Sequence, residues 1–503
     1  MAFVVLLSLL GSASGPGWRP SPLTAQITTQ STDTTIGSSA LTPPVGSYEV
    51  TREVVEVPLT PEVTIKASIY RPEGAPGLRP GMIFLHGAGT ATHLRFEPHA
   101  RALASAGIVT MVPDKRMDTY TVSSRNYLAM ADDYERSADL LRSDPQVNPA
   151  AVGVYGESEG AYVAPLVAAR YPATAFLVLV SAPVVPPREQ ATFATDVYLR
   201  NTGVPRALLT VIPRGLGPQF PGGSLAYADF DVSAYQRQLT CPVFMAYGTA
   251  DPSMPIVQGA LQVIGDLAAA GNADYTVRYY ADANHGIKVD DVIVPAFLRD
   301  VARFVGGLPL TAGAEPKIAG DQPLQQFQAE PPPRPRWYAS GDMIVIGLLA
   351  GPIISASAPL VGVVLAGASA LMRRWGLRRH GEPSRRVRGP VVAVLLRLSI
   401  AASLAAFAAW VLYLAYLATV GTLAVNYETS PLAVDGGWVV TRLAGILAAF
   451  VFVLAVRAVH RHLRGEDRLS VPVALTIAGS LLGSAIMLLT GAYWGIFATI
   501  LTW

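Results

Sequence analysis

The chain has 503 residues, of which 51% are hydrophobic, and its 38 basic and 36 acidic residues leave a formal net charge of +2. This length exceeds one ordinary domain, and the near-neutral charge carries no electrostatic footprint for nucleic acid, so we expect no nucleic acid partner. The single cysteine, Cys241, excludes an intramolecular disulfide.

The N-terminal residues predict export. Residues 1–15 resemble a secretory signal peptide, because an apolar run from Phe3 to Leu10 is followed by small residues. A frayed apolar tail is the alternative. Residues 16–45 are rich in Ser, Thr, Pro and Gly and predict a disordered lead-in.

Residues 46–306 alternate short β-runs with helical stretches. Buried-strand runs such as Met82–Leu85 and Pro242–Tyr247 are separated by helical patterns, for example over 126–143. This alternation predicts an α/β fold with a mostly parallel central sheet covered on both faces. Residues 186–240 interrupt the alternation with scattered aromatics, prolines and glycines, which predict a cap over the carboxyl edge of the sheet. An irregular surface excursion is the alternative.

A nucleophile elbow follows one of these strands. The pentapeptide Gly156-Glu157-Ser158-Glu159-Gly160 comes directly after the apolar run 151–155. A serine between two glycines at a strand-to-helix junction projects its hydroxyl above the sheet. Because that hydroxyl is a weak nucleophile at neutral pH, it needs a histidine base that a carboxylate orients.

In such an architecture the three residues follow the order serine, acid, histidine. His285 is the candidate base, because it is the one histidine between Ser158 and the apolar C-terminal part of the chain. Asp251, which follows the strand run 242–247, is the candidate acid. Asp282 is the rival, although a side chain only three residues before His285 is poorly placed to reach around to the imidazole.

The tetrahedral intermediate of acyl transfer needs an oxyanion hole built from backbone N–H groups. The residue after the nucleophile, Glu159, supplies one donor, and Gly87 or Ala88 in the loop His86–Gly89 supplies the other. His86 itself is interpreted as structural.

Two charged side chains near these motifs allow more than one interpretation. Glu159 could cap the N-terminus of the following helix, where the dipole favours a carboxylate, or an acidic residue beside the serine could accept a hydrogen bond near the substrate. Arg116 could brace the cap or a loop by ion pairing, or it could form a surface salt bridge.

We expect neither a metal nor a cofactor. Serine, histidine and aspartate carry out acyl transfer without one. The side chains closest in sequence to a metal cluster fit neither a helical pair nor a zinc pattern; they are His93, Glu97 and His99.

The order of the motifs resembles that of the α/β-hydrolase superfamily, over residues 45–306. His-Gly-Ala-Gly at 86–89, the elbow, Gly-Thr-Ala-Asp at 248–251 and Asn-His-Gly at 284–286 follow one another. Asp114-Lys115-Arg116 and the Ser-Glu-Gly of the elbow resemble bacterial esterases related to dienelactone hydrolases and prolyl-oligopeptidase-type catalytic domains. That branch usually has glycine and histidine where this chain has Met117 and Glu157. The resemblance implies an α/β-hydrolase fold and a serine hydrolase.

The C-terminal part has a different composition. Residues 307–340 are proline-rich and predict an extended linker. Residues 341–503 contain four apolar runs that are each long enough to cross a bilayer, at 343–371, 391–424, 438–458 and 471–501. Since no Asp or Glu lies in the middle of a run, we expect an anchor rather than a conducting bundle.

The loops between these runs predict their orientation. The middle connection, 426–437, has no Lys or Arg, whereas the loops on either side are rich in arginine. Positive loops stay in the cytoplasm, so we expect the serine-bearing half and the C-terminus to lie outside a bacterial cell membrane. The arginines are Arg373, Arg374, Arg378, Arg379, Arg385, Arg386 and Arg388 in the first loop and Arg457, Arg461, Arg464 and Arg468 in the second.

Together these features predict a membrane-anchored, extracytoplasmic serine hydrolase that acts on a small acyl-ester or lipid-like substrate. The same three residues would serve an acyltransferase or a peptidase. A membrane sensor or scaffold with a degenerate hydrolase head is a further alternative, which the complete set of three residues disfavours. The substrate, the protein partners and the oligomeric state are left open.

Overall fold

The structure, a computed structural model, describes residues 2–37, 42–89, 91–335, 340–375, 389–465 and 468–497. The chain divides into two compact units. The sheet unit comprises residues 20–194 and 223–331, and the helical unit comprises residues 1–19, 195–222 and 332–503.

The helices and strands have the following bounds. The helices are α1 (Ala2–Ser14), α2 (Glu97–Ala104), α3 (Tyr127–Arg142), α4 (Gly160–Arg170), α5 (Pro187–Asn201), α6 (Val211–Leu216), α7 (Ser233–Gln236), α8 (Ile256–Ala269), α9 (Pro295–Gly306), α10 (Gly341–Arg374), α11 (Gly389–Val425), α12 (Gly437–Leu463) and α13 (Val471–Tyr493). The strands are β1 (Val50–Pro58), β2 (Thr64–Pro72), β3 (Arg79–Leu85), β4 (Val109–Pro113), β5 (Val147–Glu157), β6 (Leu177–Val180), β7 (Val243–Gly248), β8 (Tyr275–Tyr280), β9 (Lys288–Val289), β10 (Val292–Ile293) and β11 (Ile318–Gly320).

A nine-stranded sheet forms the centre of the sheet unit, in the order β1-β2-β4-β3-β5-β6-β7-β8-β11. β2 runs antiparallel to β1 and β4, and the other neighbours are parallel. Alternate side chains of β3 enter opposite cores, because successive residues of a strand face opposite sides. Ile83 and Leu85 pack in the core under α3, α4 and α8, whereas Met82 and Phe84 pack under α2 and α9. The predicted α/β fold, with helices on both faces, is confirmed.

The lead-in and the linker differ from their predictions. Gln30 N–H donates to the Ile318 carbonyl and Leu23 N–H to the Gln326 carbonyl, both at 2.9 Å, and β11 pairs with β8 inside the predicted linker. Ile27 and Ile36 are buried in the sheet unit. Burying these apolar side chains orders a segment whose composition alone predicted disorder. Residues 38–41 and 336–339, which belong to the same two predictions, lie outside the described residues.

The predicted cap divides between the two units. Residues 223–240 belong to the sheet unit, where Tyr227 Oη donates to the Val122 carbonyl at 2.8 Å. Residues 195–222 belong to the helical unit. Their apolar side chains share a core with α11, α12 and α13, and the buried ones are Leu199, Leu208, Leu209 and Ile212.

Within the described residues, the helical unit contains four helices long and apolar enough to cross a membrane: Gly341–Met372, Gly389–Val425, Leu432–Leu463 and Val471–Tyr493. The signal-like segment forms α1, whose Val4 and Leu7 are buried in the same unit. A Cβ on Gly11 would overlap the Ala492 carbonyl, so α1 packs closely against α13. Residues of the first basic loop that lie outside the described residues include Arg378, Arg379, Arg385, Arg386 and Arg388.

Ile36 tests whether the lead-in belongs to the fold. Replacing a fully buried isoleucine by alanine removes apolar contacts and leaves a cavity, so we expect Ile36→Ala to cost about 2–5 kcal/mol of the free energy of unfolding of the sheet unit. Val45→Ala, at a 39% exposed position of the same segment, is the matched control and should change little. Thermal unfolding of the detergent-solubilised chain measures the effect of both substitutions on the unfolding midpoint. Equal midpoints for Ile36→Ala and the parent would support the prediction of a disordered lead-in.

Candidate active site

The candidate site lies at the carboxyl edge of the parallel strands. The loop 86–89 follows β3, Ser158 follows β5, Asp251 follows β7 and His285 follows β8. Ligands of open α/β sheets bind at this edge. Four segments far apart in sequence therefore end on one side of one sheet.

The turn at Ser158 is as tight as the motif predicts. Ser158 has a φ of 55°, in the left-handed region that a side chain rarely adopts. A Cβ on Gly156 would lie 2.6 Å from the Gly160 carbonyl oxygen, and one on Gly160 would overlap the Leu85 carbonyl. Both glycines are needed because backbone passes directly over their Cα atoms.

Asp251 and His285 are brought together. His285 Nδ1 lies 2.8 Å from Asp251 Oδ2, and Asp251 Oδ1 accepts hydrogen bonds from Ser253 N at 2.9 Å and Ser253 Oγ at 2.6 Å. Burial opposes the charged form of both groups. The attraction between them outweighs it, raising the pKa of His285 and lowering the pKa of Asp251, which the Ser253 hydrogen bonds lower further.

Asp282 takes another position. Its residue is exposed at a left-handed turn with a φ of 52°, and its backbone N–H donates to Thr249 Oγ1 at 3.0 Å. Among the described residues, the imidazole of His285 is bonded to Asp251 and Ser253 and not to Asp282.

The Ser158 hydroxyl is not bonded to the imidazole. Among the described residues no hydrogen bond joins Ser158 Oγ to His285, whose ring contacts Asp251 and Ser253. Ser158 N–H donates to the Val180 carbonyl at 3.0 Å, and the next residue, Ser181, donates through Oγ to the His285 carbonyl at 2.7 Å. The two loops are thus joined through the end of β6. The hydrogen bond between a nucleophilic serine and its histidine base is often long or poorly aligned without substrate, and it tightens in the substrate complex.

The predicted oxyanion donors are free to bind a ligand. In the described part of the chain the backbone N–H groups of Gly87, Ala88 and Glu159 have no acceptor, whereas Gly89 N–H donates to Tyr120 Oη at 3.1 Å. A Cβ on Gly87 would lie 3.3 Å from the Ser158 Cβ. The loop after β3 therefore lies against the serine.

One interpretation of the sequence was that the Glu159 side chain caps α4. The structure shows no such cap. α4 has no side-chain cap bond from Glu159, whose carboxylate binds Lys115, Tyr120, Arg125 and Tyr127 instead. Sequence reasoning missed these four partners. The sequence feature that could have indicated a buried ion pair is Lys115, a cationic residue two positions after the buried strand β4.

Two other charged residues near the site, Arg116 and Glu157, have fewer charged or polar partners than Glu159. Arg116 pairs with Asp118 at 2.7 Å and with Asp133 at 3.5 Å, so it braces its own loop on α3 rather than the cap. Glu157 Oε2 accepts from Tyr155 Oη at 3.0 Å, and burial raises the pKa of Glu157 although the charge of His285 opposes this.

The histidines near the oxyanion loop have structural partners. Burial lowers the pKa of His86 to about 4, and its Nε2 lies 2.6 Å from the Pro113 carbonyl. His93 Nδ1 lies 2.7 Å from Asp114 Oδ1. The ring of His99 packs against Phe96, Tyr155 and Phe297. The candidate metal residues His93 and His99 are therefore held by different neighbours.

Part of the chain matches a known protein family. Residues 95–308 match the sequence model of the prolyl oligopeptidase family, Peptidase_S9. No curated protein sequence matches the chain.

Three solved structures are similar at low identity. A putative dipeptidyl aminopeptidase IV from Bacteroides ovatus is 15% identical over 51% of this chain and 36% of its own, with a TM-score of 0.38. A putative dienelactone hydrolase from Klebsiella pneumoniae is 15% identical over 48% and 88%, with a TM-score of 0.33. Brefeldin A esterase, a bacterial homologue of human hormone sensitive lipase, is 20% identical over 54% and 78%, with a TM-score of 0.37. The chain thus spans little more than a third of the aminopeptidase's length.

The family match, the sheet order and the elbow together make the sheet unit a serine hydrolase domain with the α/β-hydrolase fold. Both predictions are confirmed.

The pKa of His285 reports on its partner. We expect NMR titration of ¹³C-labelled histidines to give His285 a pKa above the ordinary 6.5, because Asp251 stabilises the imidazolium. Asp251→Asn should lower that pKa, since burial then acts unopposed by the carboxylate. Asp282→Asn is the control and should leave it unchanged; a lower pKa in Asp282→Asn alone would assign the partner to the rival carboxylate.

Proposed function

We propose that this serine hydrolase cleaves a small acyl-ester or lipid-like substrate through an acyl-enzyme, with Ser158 as nucleophile, His285 as base and Asp251 as the acid that orients the base. The observation that carries the proposal is the pairing of a buried carboxylate with the imidazole, at the same edge of the sheet as a serine held at a φ of 55°. This arrangement supplies the three groups that acyl transfer needs.

The chemistry follows from these groups. Ser158 Oγ attacks the acyl carbonyl carbon while His285 Nε2 takes the hydroxyl proton. The intermediate collapses, the bond to the leaving oxygen breaks, and His285 returns the proton to that oxygen. Water then attacks the acyl-enzyme by the same route and releases the acid and the free serine. Asp251 stabilises the imidazolium in both halves, in keeping with the raised pKa of His285.

The oxyanion of each intermediate would be held by backbone N–H groups. Glu159 supplies one donor and Gly87 or Ala88 the other, and all three N–H groups lack an acceptor among the described residues. Donors that are fixed before substrate arrives stabilise developing charge without reorganisation.

A peptidase is the second candidate, because the matching family model is that of prolyl oligopeptidases. The ester proposal draws on the motifs Asp114-Lys115-Arg116 and Ser158-Glu159-Gly160, which resemble those of bacterial esterases related to dienelactone hydrolases.

We further propose that the sheet unit lies outside the cytoplasm. Four helices of the described chain can cross a membrane. The basic residues Arg457, Arg461 and Arg464 lie at the end of α12, whereas the connection after α11 carries none. This charge asymmetry supports a cytoplasmic position for the loop between α12 and α13.

Substitutions in the purified full chain separate the roles. On a panel of p-nitrophenyl esters, Ser158→Ala should abolish turnover, by about 10⁶-fold in kcat, and should abolish fluorophosphonate labelling. Asp251→Asn should lower kcat by about 10⁴-fold, because the imidazole loses its orienting carboxylate. The matched control, Asp282→Asn, should retain full activity.

Three outcomes would contradict the proposal. Undiminished labelling of Ser158→Ala would reject the nucleophile. Faster turnover of peptide p-nitroanilides than of any ester by the parent chain would make it a peptidase. Transfer of the acyl group to an added alcohol in preference to water would identify an acyltransferase.

Cysteine accessibility tests the orientation. In a Cys241→Ser background, Thr429→Cys lies after α11 and Gly465→Cys lies after α12, both at exposed positions. A membrane-impermeant maleimide applied to intact spheroplasts should label the first variant and not the second, because basic loops stay inside. Gly465→Cys should be labelled only after lysis. Labelling of Gly465→Cys but not of Thr429→Cys in intact spheroplasts would place the sheet unit in the cytoplasm.

A further inference from the structure

A buried charged cluster adjoins the proposed oxyanion hole. Glu159 Oε2 accepts hydrogen bonds from Lys115 Nζ at 2.6 Å and Tyr120 Oη at 2.7 Å. Glu159 Oε1 accepts from Arg125 Nη1 and from Tyr127 Oη at 3.3 Å. The side chains of Lys115 and Glu159 are only 2% and 4% exposed. We call these five residues the Glu159 cluster.

The cluster reaches both ends of the oxyanion loop. Lys115 Nζ donates to the Gly87 carbonyl at 2.8 Å, and Tyr120 Oη accepts from Gly89 N–H at 3.1 Å. Because the peptide bond is planar and trans, holding the Gly87 carbonyl also sets the direction of the Ala88 N–H, which points the opposite way. One carboxylate therefore orients the loop at both ends, because each of the two side chains that bind the loop also binds that carboxylate.

Glu159 also belongs to the elbow. Its backbone N–H is the proposed donor next to Ser158, and its side chain binds Lys115 and Tyr120, which bond to Gly87 and Gly89 of the oxyanion loop. The two sources of the proposed oxyanion hole follow different strands, β3 and β5, and Glu159 connects them.

A purely structural role is a weak explanation of the cluster. Removing charges from water is costly, and a buried ion pair contributes little net stability compared with apolar residues of the same shape. A second buried pair in the sheet unit, Arg142 with Glu135 at 2.7 Å on α3, touches neither the elbow nor the oxyanion loop. It provides a comparison for stability alone.

We propose that Lys115 and Glu159 are positioning residues that hold the oxyanion loop in register with the elbow. The inference rests on the proposed function, because it concerns how the same hole is assembled. Neither side chain touches the substrate. Their effect is to set the separation and direction of backbone donors that must meet one developing oxyanion.

The test uses the full chain in detergent, with p-nitrophenyl butyrate as substrate and an alkyl trifluoromethyl ketone as inhibitor. The ketone adds to the serine as a hemiketal whose oxyanion occupies the hole. Lys115→Met and Glu159→Gln keep the backbone and the approximate side-chain volume. We expect each to lower kcat by about 10- to 100-fold with little change in KM, because misplaced donors weaken binding of the transition state and not of the ground state.

The inhibition constant distinguishes positioning from general damage. It should weaken by the same factor as kcat/KM falls, since transition-state analogues report interactions made in the transition state. Glu135→Gln is the matched control and should lower the melting temperature comparably while leaving kcat within about twofold of the parent. Tyr120→Phe, which removes a single hydroxyl, serves if the charge variants do not fold; it should lower kcat by about threefold or more.

Two results would overturn the inference. Unchanged kcat in folded Lys115→Met and Tyr120→Phe would remove the positioning role, as would a loss of kcat without a matching loss of ketone affinity. If Ser158→Ala is inactive in the same assay, such a result concerns the cluster alone. If Ser158→Ala remains active, the proposed function itself fails.

Discussion

The close approach of the β5–α4 turn to β3 is the constraint on which the site depends. Gly160 packs so tightly under the Leu85 carbonyl that a single added carbon would overlap it. This contact brings the start of α4 beside the loop that follows β3 and forces Ser158 into the left-handed region. The backbone donors on both sides of the serine therefore come together through packing, before any side chain acts.

The charged pairs on the two sides of the serine differ in how far they are exposed to solvent. On one flank Asp251 lies buried and orders the imidazole, whose exposed fraction of 33% leaves it accessible. On the other flank the side chains of Lys115 and Glu159 are only 2% and 4% exposed. Burial penalises both sets of charges, and each is tolerated because its members pair with one another.

The sequence predicted the elements that depend on local pattern. Ser158, Asp251 and His285 each follow a strand with a strong apolar run, and chain order restricted the choice of histidine. The Glu159 cluster escaped prediction because Lys115, Arg125 and Glu159 meet only through the packing of three separate segments. The lead-in escaped because its composition resembles disorder, although Ile36 has no exposed surface once the sheet forms.

The cap shows a different reason why the sequence alone did not predict part of the structure. Aromatic and apolar residues over 186–240 predict burial, but no periodicity in them specifies the surface that buries them. Leu199, Leu208 and Ile212 share a core with the long apolar helices, whereas Tyr227 and Phe230 pack in the sheet unit. Because one core contains residues from 195–222 and from α11 and α13, this part of the insertion folds together with the long helices. The helical unit therefore supplies the surface that buries a segment whose sequence lies within the predicted hydrolase domain.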